Sequence, residues 1–147
     1  MFEDDPVLAA IRGFALGAGA QMLAALEDEH ARDVEHKGRV DLVTRVDHAV
    51  QSWLIERIAE SFPGETVVGE EGASDERPPD DLTVWYVDPI DGTTNYVHGH
   101  PFYCVSIARR SRSEDSLGVV YAPAVDELYG GASGRGAVLE RPQRGIA

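Results

Sequence analysis

The chain has 147 residues, enough for one compact domain with its own core. Apolar residues make up 43% of it, which is typical of a globular protein rather than a disordered one. The formal net charge of −13 argues against nucleic acid and anionic membranes as partners, because both would repel the chain. The acidic excess fits either cation binding or a solvated, solubilising surface.

The single cysteine and the N-terminus bear on cellular location. Cys104 has no second cysteine with which to form an intrachain disulfide, which favours a cytoplasmic protein. Three of the first five residues are acidic, whereas a secretory signal begins with basic residues. The Ala- and Leu-rich stretch from Leu8 to Leu26 contains Arg12 and Gln21, so it is too weakly hydrophobic for a convincing membrane span.

Two helices are predicted in the first part of the chain. Pro6 opens the first, and apolar residues then recur at three- and four-residue steps as far as Leu26. Gly38 is predicted to form a turn, and residues 40–43 a short extended segment. Thr44 would cap the second helix with Asp47 as its capping-box partner, and the Pro-Gly pair at 63–64 would end it.

The remaining sequence favours β-strands. The predicted strands are residues 66–68, 82–87, 102–109, 116–121 and 127–129, with a weak one at 137–139. Two helices followed by an antiparallel meander predict an α+β fold, in which two N-terminal helices pack on a mainly antiparallel sheet. No linker or repeat divides the chain, so we expect residues 1–147 to form one domain.

Three groups of acidic residues lie away from helix faces and near predicted element ends: Asp47, the pair Glu70 and Glu71, and the pair Asp88 and Asp91. Asp88 follows an apolar run, where a carboxylate is costly unless it is paired or bound to a cation. The spacing lets Asp88, Asp91 and the carbonyl of the intervening residue 90 face one point. Mg²⁺ prefers such oxygen ligands.

The next residues, 92–94, read Gly-Thr-Thr and offer open backbone N–H groups at a predicted helix start, which suits a phosphate. On composition alone the Asp-Pro-Ile-Asp-Gly-Thr run also fits an ordinary turn, and Asp47 also fits a plain helix cap. His98 and His100 lack thiolate neighbours, and the oxygen ligands nearby favour Mg²⁺ over zinc. Cys104 is predicted to be a small buried residue rather than a nucleophile.

Residues 85–99 read Trp-Tyr-Val-Asp-Pro-Ile-Asp-Gly-Thr-Thr-Asn-Tyr-Val-His-Gly and closely resemble the signature of the inositol monophosphatase family. The resemblance extends over residues 7–139 with its order preserved, through the segments 41–47, 69–71, 101–107, 118–121 and 134–137. It implies that the chain is the N-terminal α+β domain, the first half of the layered αβαβα sugar-phosphatase fold. The C-terminal half would then be absent.

The resemblance also implies metal ligands. Glu70, Asp88 and the carbonyl of Ile90 would hold a first Mg²⁺, and Asp88 would bridge to a second one that Asp91 also binds. Glu70 could hold a third, weaker Mg²⁺ with its water. Glu71 would support the ligands from behind, as metal sites require.

By the same resemblance, the substrate phosphate would be bound at Asp91, Gly92 and Thr93, the latter two through their backbone. Thr93 and Asp47 would orient and deprotonate the attacking water, with Glu70 as the third catalytic residue. The family's second half carries a further metal-binding aspartate in a Trp-Asp-x-Ala context, and nothing in this sequence matches it.

The implied function is Mg²⁺-dependent hydrolysis of a small phosphate monoester, most of all inositol 1-phosphate, by a metal-activated water. The alternatives are a related phosphatase for histidinol phosphate, fructose 1,6-bisphosphate or a 3′-phosphonucleotide, and an inactive, truncated metal-binding remnant. We expect a cytoplasmic homodimer with a small phosphorylated substrate as its partner, and neither nucleic acid nor membrane.

Overall fold

Two long helices pack on one face of a six-stranded sheet. The computed structural model describes residues 2–32, 36–69, 78–79, 81–111 and 116–143, with only the backbone of 29–32, 36–42 and 44. The elements are α1 (Pro6–Arg32), α2 (His36–Ser61), β1 (Thr66–Gly69), β2 (Val84–Asp91), α3 (Thr93–Val97), β3 (Cys104–Arg110), β4 (Leu117–Ala122), β5 (Glu127–Ala132) and β6 (Gly136–Glu140).

The strands follow each other across the sheet in chain order, from β1 to β6. β1 pairs with β2 in parallel, and every later neighbour is antiparallel. The predicted α+β fold with a mainly antiparallel sheet is therefore confirmed, with one parallel pair that a pure meander would not contain. The carboxyl ends of β1 and β2 consequently meet at the same edge of the sheet.

The core lies between the helices and this sheet. Its fully buried members include Leu8, Ile11 and Met22 of α1, Val50, Leu54 and Ile58 of α2, and Trp85, Val105 and Ile107 of the sheet. By length and composition, residues 6–28 of α1 would suffice to cross a membrane, although the sequence led us to expect otherwise. A buried core helix passes the same test, and the apolar stripe of α1 is buried against α2 and the sheet.

The second helix begins earlier than predicted. Residues 40–43 are helical rather than extended, Gly38 forms no turn, and Thr44 is not an N-cap, because α2 already starts at His36. Val43 and Val46 are both 8% exposed and continue the buried stripe of α2 at helical spacing. Burial of this stripe outweighs the local turn and strand signals. The predicted end is confirmed, since Ser61 is the last helical residue.

The strands match their predicted positions within a few residues, with one consequential difference. The second strand was predicted to end at Val87, but β2 continues to Asp91 and thus includes both candidate metal-binding acids. The weak strand signal near the C-terminus corresponds to β6, which pairs with β5.

An ion pair between buried Arg109 and half-buried Glu65 joins the turn after α2 to the middle of the sheet. The Arg109 guanidinium donates to both carboxylate oxygens of Glu65, at 2.9 and 2.6 Å, and the Trp85 indole donates to the same carboxylate at 2.6 Å. Arg109 also lies over the rings of Phe62 and Trp85. These contacts hold the start of β2 against the end of α2.

Candidate active site

The two candidate aspartates lie at the carboxyl end of β2, on either side of an irregularity in the strand. Asp88 pairs with Ser106 and Asp91 with Cys104, so three steps along β2 match two steps along β3. In a regular strand, a spacing of three would direct the two side chains to opposite faces. The extra residue of the bulge restores a common side.

Pro89 occupies this irregularity, which is where a central strand accepts a residue without an N–H group. Ile90 next to it is 1% exposed and anchors the bulge in the core. One oxygen of Asp88, Oδ1, is buried from solvent, whereas Asp91 is exposed. The site therefore combines one half-buried and one accessible carboxylate.

A cavity of about 210 Å³ opens at this point. It is lined by Asp88, Ile90, Asp91, Gly92, Thr93 and Thr94. The structure thus brings together five residues to which the sequence assigned metal or phosphate contacts.

The pKa of the Cys104 thiol is affected by the negative charge of the site. Burial, together with the negative charges of Asp91 and Asp88, raises the pKa of Cys104 to about 11. Its Sγ lies 3.8 Å from Asp91 Oδ2. A thiol with such a pKa is protonated near neutral pH, so Cys104 is no activated nucleophile. It is half-buried, less buried than the sequence led us to expect.

A tight turn carries the chain from β2 into α3. Gly92 has a φ of 86°, and α3 begins at Thr93, as the sequence predicted. Tyr96 N–H donates to Gly92 O at 3.0 Å, and the buried Tyr96 hydroxyl donates to Met22 O at 2.8 Å. The turn is therefore anchored to α1 through Tyr96, while Thr93 itself is exposed beside the cavity.

The other predicted site residues lie elsewhere or beyond the described part of the chain. Asp47 was predicted at the start of a helix, but it lies well inside α2, where its Oδ1 is buried, and it does not line the cavity. The prediction that Asp47 is the capping-box partner of Thr44 is therefore wrong. Glu70 and Glu71 lie outside the described residues. His98 and His100 are exposed on the loop after α3.

A second, larger cavity adjoins the first, and the sequence did not indicate it as a site. It measures about 470 Å³ and shares Asp91 and Gly92 with the first. Asn95, Phe102 and Tyr129 are among its lining residues, and Phe102 is 74% exposed. The aromatic residue after Pro101 and the asparagine after the Gly-Thr-Thr run are the sequence signals that could have indicated them.

The residues present fit a divalent cation in part. Two carboxylates and the main chain of Ile90 border one cavity, and a buried carboxylate oxygen at a core edge is the chemistry that a hard cation stabilises. Within the described ranges, no three His, Cys, Asp or Glu residues come together in a geometry that could hold a metal ion. The cluster is thus a partial ligand set to which other residues must add.

A sheet edge that presents two carboxylates and a glycine turn to one cavity is typical of hydrolases that act on phosphate esters with divalent cations. Comparison with known proteins gives the family. The family model of the inositol monophosphatase family matches residues 3–145. The chain therefore belongs to the inositol monophosphatase family.

Individual relatives agree with this assignment. The chain is 46% identical over 110 residues to inositol monophosphatase 3 of Solanum lycopersicum, covering 74% of this chain and 41% of that protein. It is 38% identical over 130 residues to the Nus factor SuhB of Vibrio cholerae, covering 88% and 48%. The solved structure of SaIMPase-II with 2′AMP bound matches with a TM-score of 0.78 and 31% identity, covering 93% and 49%. The chain thus spans less than half the length of these curated relatives.

Proposed function

We propose that the chain carries the N-terminal part of a Mg²⁺-dependent phosphatase site that hydrolyses a small phosphate monoester, most of all inositol 1-phosphate. The observation that carries the proposal is the convergence of Asp88 and Asp91 on one cavity across the bulge in β2. Family membership and the names of the relatives support the same chemistry.

The proposed metal ligands are Asp88, Asp91 and the Ile90 carbonyl, with Glu70 as a further ligand and Glu71 behind it. Bound Mg²⁺ would supply positive charge that stabilises the phosphoryl oxygens and acidifies a water. Asp88, half-buried at the strand end, would be the better-fixed ligand, since it has less free space around it than an exposed side chain. Asp91, exposed, would adapt its position to the substrate.

The substrate phosphate is proposed to bind between Asp91 and the backbone of Gly92 and Thr93, which border the same cavity. The Thr93 hydroxyl would accept or donate a hydrogen bond at the attacking water. Asp47 would take the proton from that water as general base, together with Thr93 and Glu70. The contact between α2 and α3 supports this pairing, because it brings the helix of Asp47 beside that of Thr93.

We also propose which phosphate monoester the site binds. The tomato relative's name favours inositol monophosphate, while the structure of SaIMPase-II holds 2′AMP, which keeps a phosphonucleotide as the second candidate. Histidinol phosphate and fructose 1,6-bisphosphate remain further members of the same substrate class. We also propose a cytoplasmic homodimer.

Calorimetry with Mg²⁺ on the purified chain tests the ligand assignment. We expect Asp88→Asn to abolish Mg²⁺ binding, because it removes the charge of the bridging carboxylate. Asp28→Asn, the same charge change at an exposed position near the end of α1, should bind Mg²⁺ as the wild type does. Unchanged binding by Asp88→Asn would contradict the assignment.

Phosphate release from inositol 1-phosphate and from 2′AMP tests the reaction. We expect this chain alone to be slow or inactive, since the family's second-half aspartate has no match in it. One relative is named a Nus factor rather than a phosphatase, which keeps the alternative of an inactive metal-binding remnant. Turnover at ordinary enzymatic rates, about 1–1,000 per second, would contradict the expected low activity and would exclude the inactive alternative.

A further inference from the structure

We infer that Asn95 is a positioning residue of the candidate site, which fixes the Gly92 turn and Asp91 by binding the loop that enters β3. The inference rests on the proposed function, because it assigns the residue that orders the proposed ligands. It starts from one short contact: Asn95 Nδ2 donates to Phe102 O at 2.7 Å.

Asn95 bridges α3 and this loop through both its side chain and its backbone. His100 N–H donates to Asn95 O at 2.9 Å, so one residue binds two points of the segment between α3 and β3. The neighbouring Tyr96 is fixed separately in the core, where its ring packs edge-on against Tyr103 with 4.9 Å between centroids. Tyr96 thus anchors the helix, and Asn95 anchors the loop to the helix.

The same loop backbone is the surface on which Gly92 rests. A Cβ at position 92 would come within 2.8 Å of Phe102 O and 3.3 Å of Tyr103 Cα. Phe102 O is therefore the atom that Asn95 binds and the atom against which Gly92 packs. Because both residues contact Phe102 O, the hydrogen bond from Asn95 fixes the distance between the Gly92 turn and the start of β3.

Asp91 lies between this turn and the bulge in β2. It pairs with Cys104, two residues after Phe102, whereas Asp88 pairs with Ser106 before the register shifts. The position of Asp91 relative to Asp88 consequently depends on how the residues entering β3 sit against the Gly92 turn. Groups that orient metal ligands from behind typically change metal affinity by about 10- to 100-fold when they are removed.

The test measures Mg²⁺ affinity by calorimetry on the full chain and on Asn95→Ala and Asn95→Asp. Alanine removes the donor. Aspartate keeps the shape, loses the donor and adds a negative charge, which by attraction alone would tighten Mg²⁺ binding. We expect both variants to bind at least about tenfold more weakly than the wild type. The sign of the aspartate effect separates positioning from simple electrostatics.

Ser133→Ala is the matched control, since Ser133 Oγ joins two chain segments through hydrogen bonds of 3.1 Å to Ser116, away from the cavities. It should keep wild-type affinity. The inference is overturned if Asn95→Asp binds as tightly as the wild type or more tightly, or if all three variants weaken alike. A wild-type chain that binds no Mg²⁺ would instead refute the proposed function, and the inference with it.

Discussion

At the scale of single residues, the site depends on one backbone position that only glycine can occupy without strain. Gly92 has a φ of 86° and lies against the backbone of the loop before β3. Residues with a side chain rarely adopt this left-handed backbone conformation, which costs them roughly 1–2 kcal/mol. The glycine of the Asp-Gly-Thr run is therefore required by both conformation and space.

Gly92→Ala and Gly99→Ala separate these two requirements. Gly99 has a φ of 72° with nothing within 4 Å of a built Cβ, whereas at Gly92 the Cβ would meet a carbonyl oxygen at 2.8 Å. We expect Gly99→Ala to lower the free energy of unfolding by about 1 kcal/mol and Gly92→Ala by about 1–3 kcal/mol more. Urea denaturation measures both. Equal decreases in the free energy of unfolding would show that the loop before β3 moves to accommodate the Cβ at position 92 without destabilising the fold.

At the scale of elements, β2 is held at both ends by different means. Its start is pinned by the Glu65–Arg109 pair, whose side chains are 21% and 7% exposed. The hydrogen bonds from Arg109 and Trp85 lower the pKa of Glu65 below its ordinary value of 4.5. Its end carries the bulge and the two aspartates. The ion pair and the bulge therefore lie at opposite ends of the same strand.

Glu65→Gln should lower the free energy of unfolding by about 1–3 kcal/mol at pH 7, because it removes the carboxylate charge that faces the buried Arg109 guanidinium. The matched control is Glu60→Gln, whose partner Arg57 is 40% exposed, and which should change stability by less than about 0.5 kcal/mol.

The same pair predicts a pH dependence. Since folding lowers the pKa of Glu65, its contribution is fully present above pH 4.5 and is lost as the pH falls through the lower folded value. The difference between wild type and Glu65→Gln should therefore shrink in acid. Urea titrations at pH 7 and in the acid range measure it, and a constant difference would refute the assigned cause.

At the scale of the whole molecule, the helices cover one face of the sheet, and the described residues leave apolar side chains exposed on the other, the open face. α1 and α2 cover the face that carries Val119, Tyr121 and Leu128. The alternate residues form a row across the open face, in which Val120 pairs with Tyr129 and Tyr129 with Leu139. They are 36%, 46% and 37% exposed. Apolar rows of this kind favour self-association.

The double variant Val120→Thr/Leu139→Thr should weaken the proposed self-association of the chain by about tenfold, because each change removes apolar surface from the open face. Ile55→Thr is the control, since Ile55 on α2 is 37% exposed, the same fraction as Leu139. Sedimentation equilibrium measures the association. An equal effect of Ile55→Thr would show that the open face is not the interface.

Local pattern determined much of this protein. Helical spacing of apolar residues predicted α1, and the Pro-Gly pair predicted the end of α2. Runs of β-favouring residues between turn-like residues predicted five of the six strands and faintly the sixth, and the family resemblance pointed to the Asp-Pro-Ile-Asp-Gly-Thr run. Each of these signals is carried by residues near each other in the chain, where propensity and period act directly.

Other features were decided only by tertiary structure. The start of α2 at His36 depends on burial of Val43 and Val46 against the rest of the core. The common side of Asp88 and Asp91 depends on the register with β3, since in a regular strand a spacing of three would direct their side chains to opposite faces. Asn95 gains its role from Phe102, seven residues away. Contacts between elements create these features, so no local pattern could reveal them.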